Sequence, residues 1–262
     1  MGVEGGCLVV NDDFAGDPKH ATGRLVLSPR EPRPIPDDSP AAVHVELREQ
    51  RLWLDRLRRH HLELVSRFLT IDDVGFFTID IFLVGVAQRS YHLVDGFLGA
   101  FDEWNVTAAA PMIRMQIDSL VRVAYFATAP SADRIAMDVI AGVEFRHMKD
   151  TTGKKLTDFR LVELAADTHP WVKPVYEGTS GWVHLSPAHV HNAWKVGEAD
   201  DGTVSLTGAI PMRPENIPLN GLLEMIGAMI QATEELFGYF ESWESRKGLP
   251  PGTARDLGAT AE

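Results

Sequence analysis

A mainly α-helical, multi-helix bundle carrying one small β-hairpin is the fold this sequence predicts, and three observations lead there. From Ala41 onward, long segments repeat apolar residues at helical spacing. Short breaks containing Pro, Gly or Ser separate them, the pattern of helices joined by tight connections. Only Trp194 to Gly208 alternates as strands do, around the turn signal Asp200-Asp201-Gly202.

Six of the 16 prolines, Pro18, Pro29, Pro32, Pro34, Pro36 and Pro40, precede the first helix. Alternating proline removes backbone donors and forbids helix, so residues 1–40 read as a tail or a wrapping arm, flexible and dispensable for a folded domain at 41–247. The first helix places Leu47, Leu54, Leu57, His61, Leu64 and Phe68 on one stripe. Val74 to Trp104 reads as a second helix, apolar nearly all round in its first half and therefore central. Gly75, Gly85, Gly96 and Gly99 within it point to close contacts or a kink.

A third helix is expected from about Ala108 to Thr128, with Pro111 in its first turn, and a fourth from the N-cap Ser131 to about His147. Beyond the charged loop Lys149–Lys155, a fifth spans about Thr157 to Ala166 and a sixth runs from Pro170 toward His184. Ser186-Pro187 opens a short helix through Asn192. The last helix, Leu219 to Arg246, carries Leu222, Ile226, Met229, Ile230, Leu236, Phe240 and Trp243 on a broad apolar face. Gly248-Leu249-Pro250-Pro251-Gly252 ends it and opens a flexible tail, 248–262.

With 25 Lys+Arg against 37 Asp+Glu the net charge is -12, which opposes non-specific attraction to nucleic acid or anionic membrane. The single cysteine, Cys7, excludes an internal disulfide and a cysteine zinc site. The N-terminus lacks a secretory pattern. The longest apolar stretch, Val74 to Ala87, is interrupted by Asp80 and falls short of the ~20 residues a membrane span needs. A cytoplasmic chain without membrane contact is expected. The sequence also lacks a Gly-rich phosphate loop, a nucleophile elbow, a zincin motif and a dinucleotide fingerprint, so no cofactor is expected.

Three polar sets could carry chemistry. Arg89, His92 and Asp95 follow the most apolar part of the second helix, while Arg114, Asp118 and Arg122 share one face of the third at i, i+4, i+8. Tyr176, Ser180 and His184 repeat that spacing on the sixth. Spacing alone favours solvated faces with weak Arg–Asp pairs, yet charges on a central helix must be paired. Arg89, His92, Arg114, Asp118 and His184 are therefore expected to meet in one internal cluster. Arg89, His92, Asp118 and His184 are the catalytic candidates, and Arg114, Arg122, Tyr176 and Ser180 the ligand-binding ones. His184, His189 and His191 match no standard metal signature, and the basic stretch Arg51, Arg56, Arg58, Arg59, His60, His61, Arg67 reads as a solvated helix face.

The stretches from Arg89 (R-S-Y-H-L-V-D-G-F), Arg114 (R-M-Q-I-D-S-L-V-R) and Tyr176 (Y-E-G-T-S-G-W-V-H-L-S) resemble uncharacterised bacterial helical proteins of the domain-of-unknown-function type, distantly of the HEPN class. That resemblance, over about residues 80–190, implies a helical fold and a role in toxin–antitoxin or defence systems. The ribonucleases of the class carry an Arg, then a polar residue, then a nearby His. Here only Arg56 to His61 has the spacing, with Leu57 replacing the polar residue.

Two functions follow as expectations, and the residues leave open whether the chain is an enzyme. One is a stress- or defence-associated protein that acts on or binds RNA or nucleotide phosphate through an Arg/His cluster. The other is a non-enzymatic regulatory or assembly protein, perhaps a homo-oligomer, whose helical faces and Trp182, Trp194 and Trp243 meet a partner chain.

Overall fold

The computed structural model of the protein describes residues 26–28, 30–71, 74–198, 202–208, 217–250 and 253–255. The first 25 residues of the arm, Cys7 among them, lie outside that set, as do Asp200 and Asp201 of the predicted turn.

Four long helices form a ring: α2 (Val45–Leu69), α3 (Thr78–Asp102), α4 (Val106–Thr128) and α9 (Leu219–Arg246). α2 packs on α3 and α9, and α4 packs on the same two, so their apolar stripes meet in one core. Leu47, Leu54, Leu64 and Phe68 of α2 are buried in it, with Leu222, Ile226, Met229, Leu236 and Phe240 of α9. α1 (Pro40–Val43) precedes the ring. α5 (Ala132–Ile140) lies on α3, and α6 (Asp158–Ala165) and α7 (Val172–Val183) lie on α4. α8 (Pro187–Asn192) leads into the predicted hairpin, β1 (Trp194–Glu198) and β2 (Val204–Gly208). Among the described residues no helix is long and apolar enough to cross a membrane.

The fourth helix is shorter than its pattern predicts. Gly142, at φ 90°, ends it, with the Gly142 N–H donating to the Val139 carbonyl and the Val143 N–H to that of Asp138, the two bonds of a Schellman stop. A 3-10 turn, Phe145–His147, follows. In the next loop the Asp150 carboxylate accepts from the Thr152 hydroxyl and the Thr152 and Lys154 amides and pairs with Arg160. The Thr152 hydroxyl foremost, then Arg160, holds the Asp150 carboxyl below the usual range.

Residues 31–38 of the arm lie against α2 and α3, the wrapping alternative of its two readings. Arg51, with no exposed surface, makes a two-pronged pair with Asp102 (3.2 and 2.7 Å) and donates to the carbonyls of Arg33 (2.9 Å) and Pro34 (3.2 Å). Arg58, also buried, binds Asp55 and Asp95 and donates to the Glu31 carbonyl at 2.8 Å. In return the Arg33 amide donates to the Asp55 carboxylate. Gly99 permits the approach, since a Cβ there would stand 2.9 Å from the Arg33 guanidinium. The basic stretch of α2 is thus only partly a solvated face.

A second polar line crosses the ring. His61 Nδ1 faces the carbonyls of Leu57 (2.9 Å) and Arg58 (3.2 Å), so it donates and leaves Nε2 to accept from the Ser90 hydroxyl at 2.7 Å. Gln116 donates to Ser90 and to Thr233, whose hydroxyl donates to the Met229 carbonyl. One chain of hydrogen bonds thereby joins α2, α3, α4 and α9. Burial pushes the His61 imidazole down from 6.5 to about 4, against the two carbonyls that oppose the shift.

At the C-terminus, Lys247 is buried and binds Asp80 at 2.9 Å and the Phe68 carbonyl at 2.8 Å, while Trp243 donates to Asp80. Gly248 turns at φ 74° where a Cβ would lie 2.7 Å from Val74. Arg255 then donates back to the Lys247 carbonyl, so the tail is fastened at that point.

Two stability measurements check these networks. Removing the Asp102 carboxylate leaves Arg51 buried and unpaired, so Asp102→Ala is expected to lower the unfolding free energy by about 3–5 kcal/mol in urea. A loss under about 1 kcal/mol would place Arg51 in water.

His61 has a lowered folded pKa, so the unfolded chain takes up its proton first on acidification. Its contribution is therefore complete above about pH 6.5 and declines as pH falls toward about 4, by roughly 3 kcal/mol. The urea midpoint should fall across that window, and His61→Leu should flatten the slope. An equal slope in the variant assigns it to other groups.

Candidate functional site

The stripe Arg114, Asp118 and Arg122 does share one face of α4, but the cluster predicted around it divides in two. In the first part, Arg89 of α3 donates to the Met115 carbonyl at 2.6 Å and to the Ser119 hydroxyl, and pairs with Asp118 at 3.4 Å. Asp118 also pairs with Arg122, which reaches Asp158 of α6 at 2.7 Å and lies over the Phe145 ring. One carboxylate thus stands between two guanidinium groups.

These groups line a cleft of about 410 Å³ whose apolar walls are Phe82 and Val86 of α3, Val139 of α5, and Val143 and Phe145 beyond the Gly142 stop. Arg89 is held below the usual arginine value by burial and next by the Arg122 charge.

In the second part, Arg114 donates to the Tyr176 hydroxyl at 2.7 Å and to the Ser180 hydroxyl, and its guanidinium lies 3.8 Å from the centre of the Tyr176 ring. No carboxylate of the described residues is within ion-pair distance of Arg114. The arrangement fastens α7 to α4 by hydrogen bonds and ring stacking.

His92 and His184 belong to neither part. His92 is exposed, because three residues along α3 from Arg89 the surface has turned to solvent. His184 is exposed because α7 ends at Val183, and the extended backbone of the capping residue takes it off the face of Tyr176 and Ser180. Asp95 turns toward the arm, pairing with Arg58 at 3.2 Å. Arg56 is exposed while His61 is buried, so that Arg–His pair shares no surface. Among the described residues no three His, Cys, Asp or Glu gather as metal ligands.

Phe82, Ser119 and Phe145 escaped the sequence reading. Phe82 and Ser119 look like ordinary core and helix positions. Phe145 becomes a wall only because Gly142 stops α5, a signal present in the sequence as a Gly following an apolar run. Another constellation was equally silent: Glu235 of α9 binds Trp171 at 2.7 Å and His169 at 2.5 Å, and His169 reaches the Tyr239 hydroxyl at 2.8 Å. It latches the α6–α7 connection to α9.

Asp118 is a quarter exposed, so Asp118→Ala is expected to cost about 1–2 kcal/mol, between surface and buried pairs. The cost should shrink with added salt, which screens the Arg89–Arg122 repulsion left behind. A salt-independent loss of about 3–5 kcal/mol would mark a closed structural network instead. Comparison of the chain with family models, with curated proteins and with solved structures finds no match.

Proposed function

We propose that the cleft between α3, α4 and the Phe145 turn binds a small phosphorylated ligand of the nucleotide type, and that the protein works by binding. The observation that carries this reading is Arg89, partly buried, beside Arg122, with the Asp118 carboxylate shared between them. An entering phosphate would take guanidinium donors from Asp118 and Asp158, whose charges otherwise balance Arg89 and Arg122, since guanidinium groups bind phosphate in a directed, two-pronged way. The Phe82, Val86 and Phe145 walls suit a flat apolar group such as a base, and the volume lies in the range of small-molecule sites.

Hydrolysis has less support. The cleft is lined by no imidazole among the described residues, and the two histidines assigned a catalytic role from sequence stand elsewhere. The net charge of -12 favours a short nucleotide over a long RNA, whose backbone it would repel. Nucleotide binding is compatible with the stress or defence role that the HEPN-class resemblance implies. The second reading, a protein that works by assembling, is favoured by the exposed apolar hairpin.

Calorimetric titration with adenosine and guanosine mono- and triphosphates, and with inorganic phosphate, tests the proposal. Saturable binding is expected for at least one nucleotide, weakened about tenfold or more by Arg89→Ala or Arg122→Ala and unchanged by Arg56→Ala. Absence of saturable binding up to millimolar ligand, or folded variants that bind as tightly as the parent, would overturn it.

A further inference from the structure

In a chain whose net charge is -12, the loop between the Phe145 turn and α6 gathers three lysines, Lys149, Lys154 and Lys155, all exposed. Lys149 and Lys155 stand opposite each other in an antiparallel bridge. The Leu156 N–H donates to the Met148 carbonyl at 3.1 Å and the Asp150 N–H to the Lys154 carbonyl at 2.8 Å, so the bonds flank the two lysines and do not join them. That is the kind of cross-strand pair in which side chains come closest. Like charges placed directly opposite destabilise such a pair.

No carboxylate of the loop relieves that repulsion. Asp150, its one acidic residue, is buried and taken by the Thr152 hydroxyl, the Thr152 and Lys154 amides and Arg160. The acidic residues flanking the loop are committed as well: Glu144 pairs with Arg146, Asp158 with Arg122 and Glu163 with Arg160. Among the described residues Lys149, Lys154 and Lys155 enter no ion pair. The bonds to Asp150 thus hold the backbone in a form that sets two ammonium groups side by side without an anion of the chain between them.

Both ends of this loop spring from the cleft. Phe145, four residues before Lys149, is one of its walls, and Asp158, three residues after Lys155, is the partner of Arg122. Chain reach therefore keeps the two lysines within on the order of 10–14 Å of the cleft. An acidic protein repels a triphosphate more than a monophosphate, so a longer phosphate chain needs local cations of this kind. Lysine suits an outer phosphate, since its compact charge rides on a flexible stem and needs no fixed angle of approach. Taking the cleft as a nucleotide site, we infer that its ligand is a nucleoside triphosphate whose outer phosphates run from Arg122 to the Lys149–Lys155 pair.

Calorimetric titration of the full chain at low salt with adenosine and guanosine mono- and triphosphates tests this. The triphosphate of the preferred base is expected to bind about tenfold or more tightly than its monophosphate. Lys149→Gln/Lys155→Gln should remove most of that difference and leave monophosphate affinity within about twofold, while Arg48→Gln, on the exposed side of α2, should change neither. Because it removes a repulsion, the double variant should unfold at no lower urea concentration than the parent. A lower midpoint would overturn the inference by showing the lysines paired within the chain. Equal affinity for mono- and triphosphate, or a preference that survives the double variant, would overturn it and leave the cleft as a monophosphate site. Absence of binding by every nucleotide would overturn both readings. Tighter binding of a short RNA of about ten nucleotides than of the triphosphate, lost in the double variant, would also overturn it and assign the lysines to a nucleic-acid backbone.

Discussion

Two guanidinium groups buried on α2 constrain most of what surrounds them. A charge without contact to water is tolerable only when carboxylates and carbonyls replace the lost hydration. Arg51 obtains this from Asp102 at the end of α3 and from the Arg33 and Pro34 carbonyls. Arg58 obtains it from Asp55, Asp95 and the Glu31 carbonyl. The arm suits that role for a chemical reason. Proline has a carbonyl but no N–H, so a Pro-rich strand offers acceptors while bringing few donors that would need partners of their own. The donor it does bring, the Arg33 amide, is taken by Asp55.

The helices were legible because their signals are local. Periodicity located α2, α3, α4 and α9, and the turn chemistry at Ser186-Pro187 and around Gly202 located α8 and the hairpin. Whether the arm hangs free or wraps was left open, because alternating proline excludes regular structure without excluding burial. Arg51 and Arg58 were misread for a related reason: a charge on a helix looks solvated until its partners, 51 residues away for Arg51 and Asp102, are brought beside it. Within the candidate site, the α4 stripe and its contact with Tyr176 and Ser180 were readable from 3.6-residue spacing. The placing of His92 and His184 was not, since it turns on where α7 stops and which way α3 is rotated.

The cross-bundle chain from His61 to Thr233 and the cleft around Arg89 meet on α3 and α4. Ser90 follows Arg89 directly and points to the core while Arg89 points to the cleft, and Gln116 and Ser119 divide α4 in the same manner. The cleft therefore stands on helices whose rotation is fixed from behind by hydrogen bonds. Such support keeps two guanidinium groups at a set separation without a ligand to hold them there.

α2 and α3 are fastened to each other near both ends, by Arg51 and Asp102 at one and, at the other, by Lys247 between Phe68 and Asp80. Among the described residues nothing comparable holds α5, whose single fully buried side chain is Ala136. Local unfolding is therefore expected to begin at the α5 rim and to reach the ring of long helices last. The cleft straddles that boundary, with α3 and α4 on one wall and α5 with the Phe145 turn on the other. A ligand seated there, as proposed, would suture the two sides, and amide exchange would record it as slowing in the rim while the ring of long helices, already closed, keeps its rates.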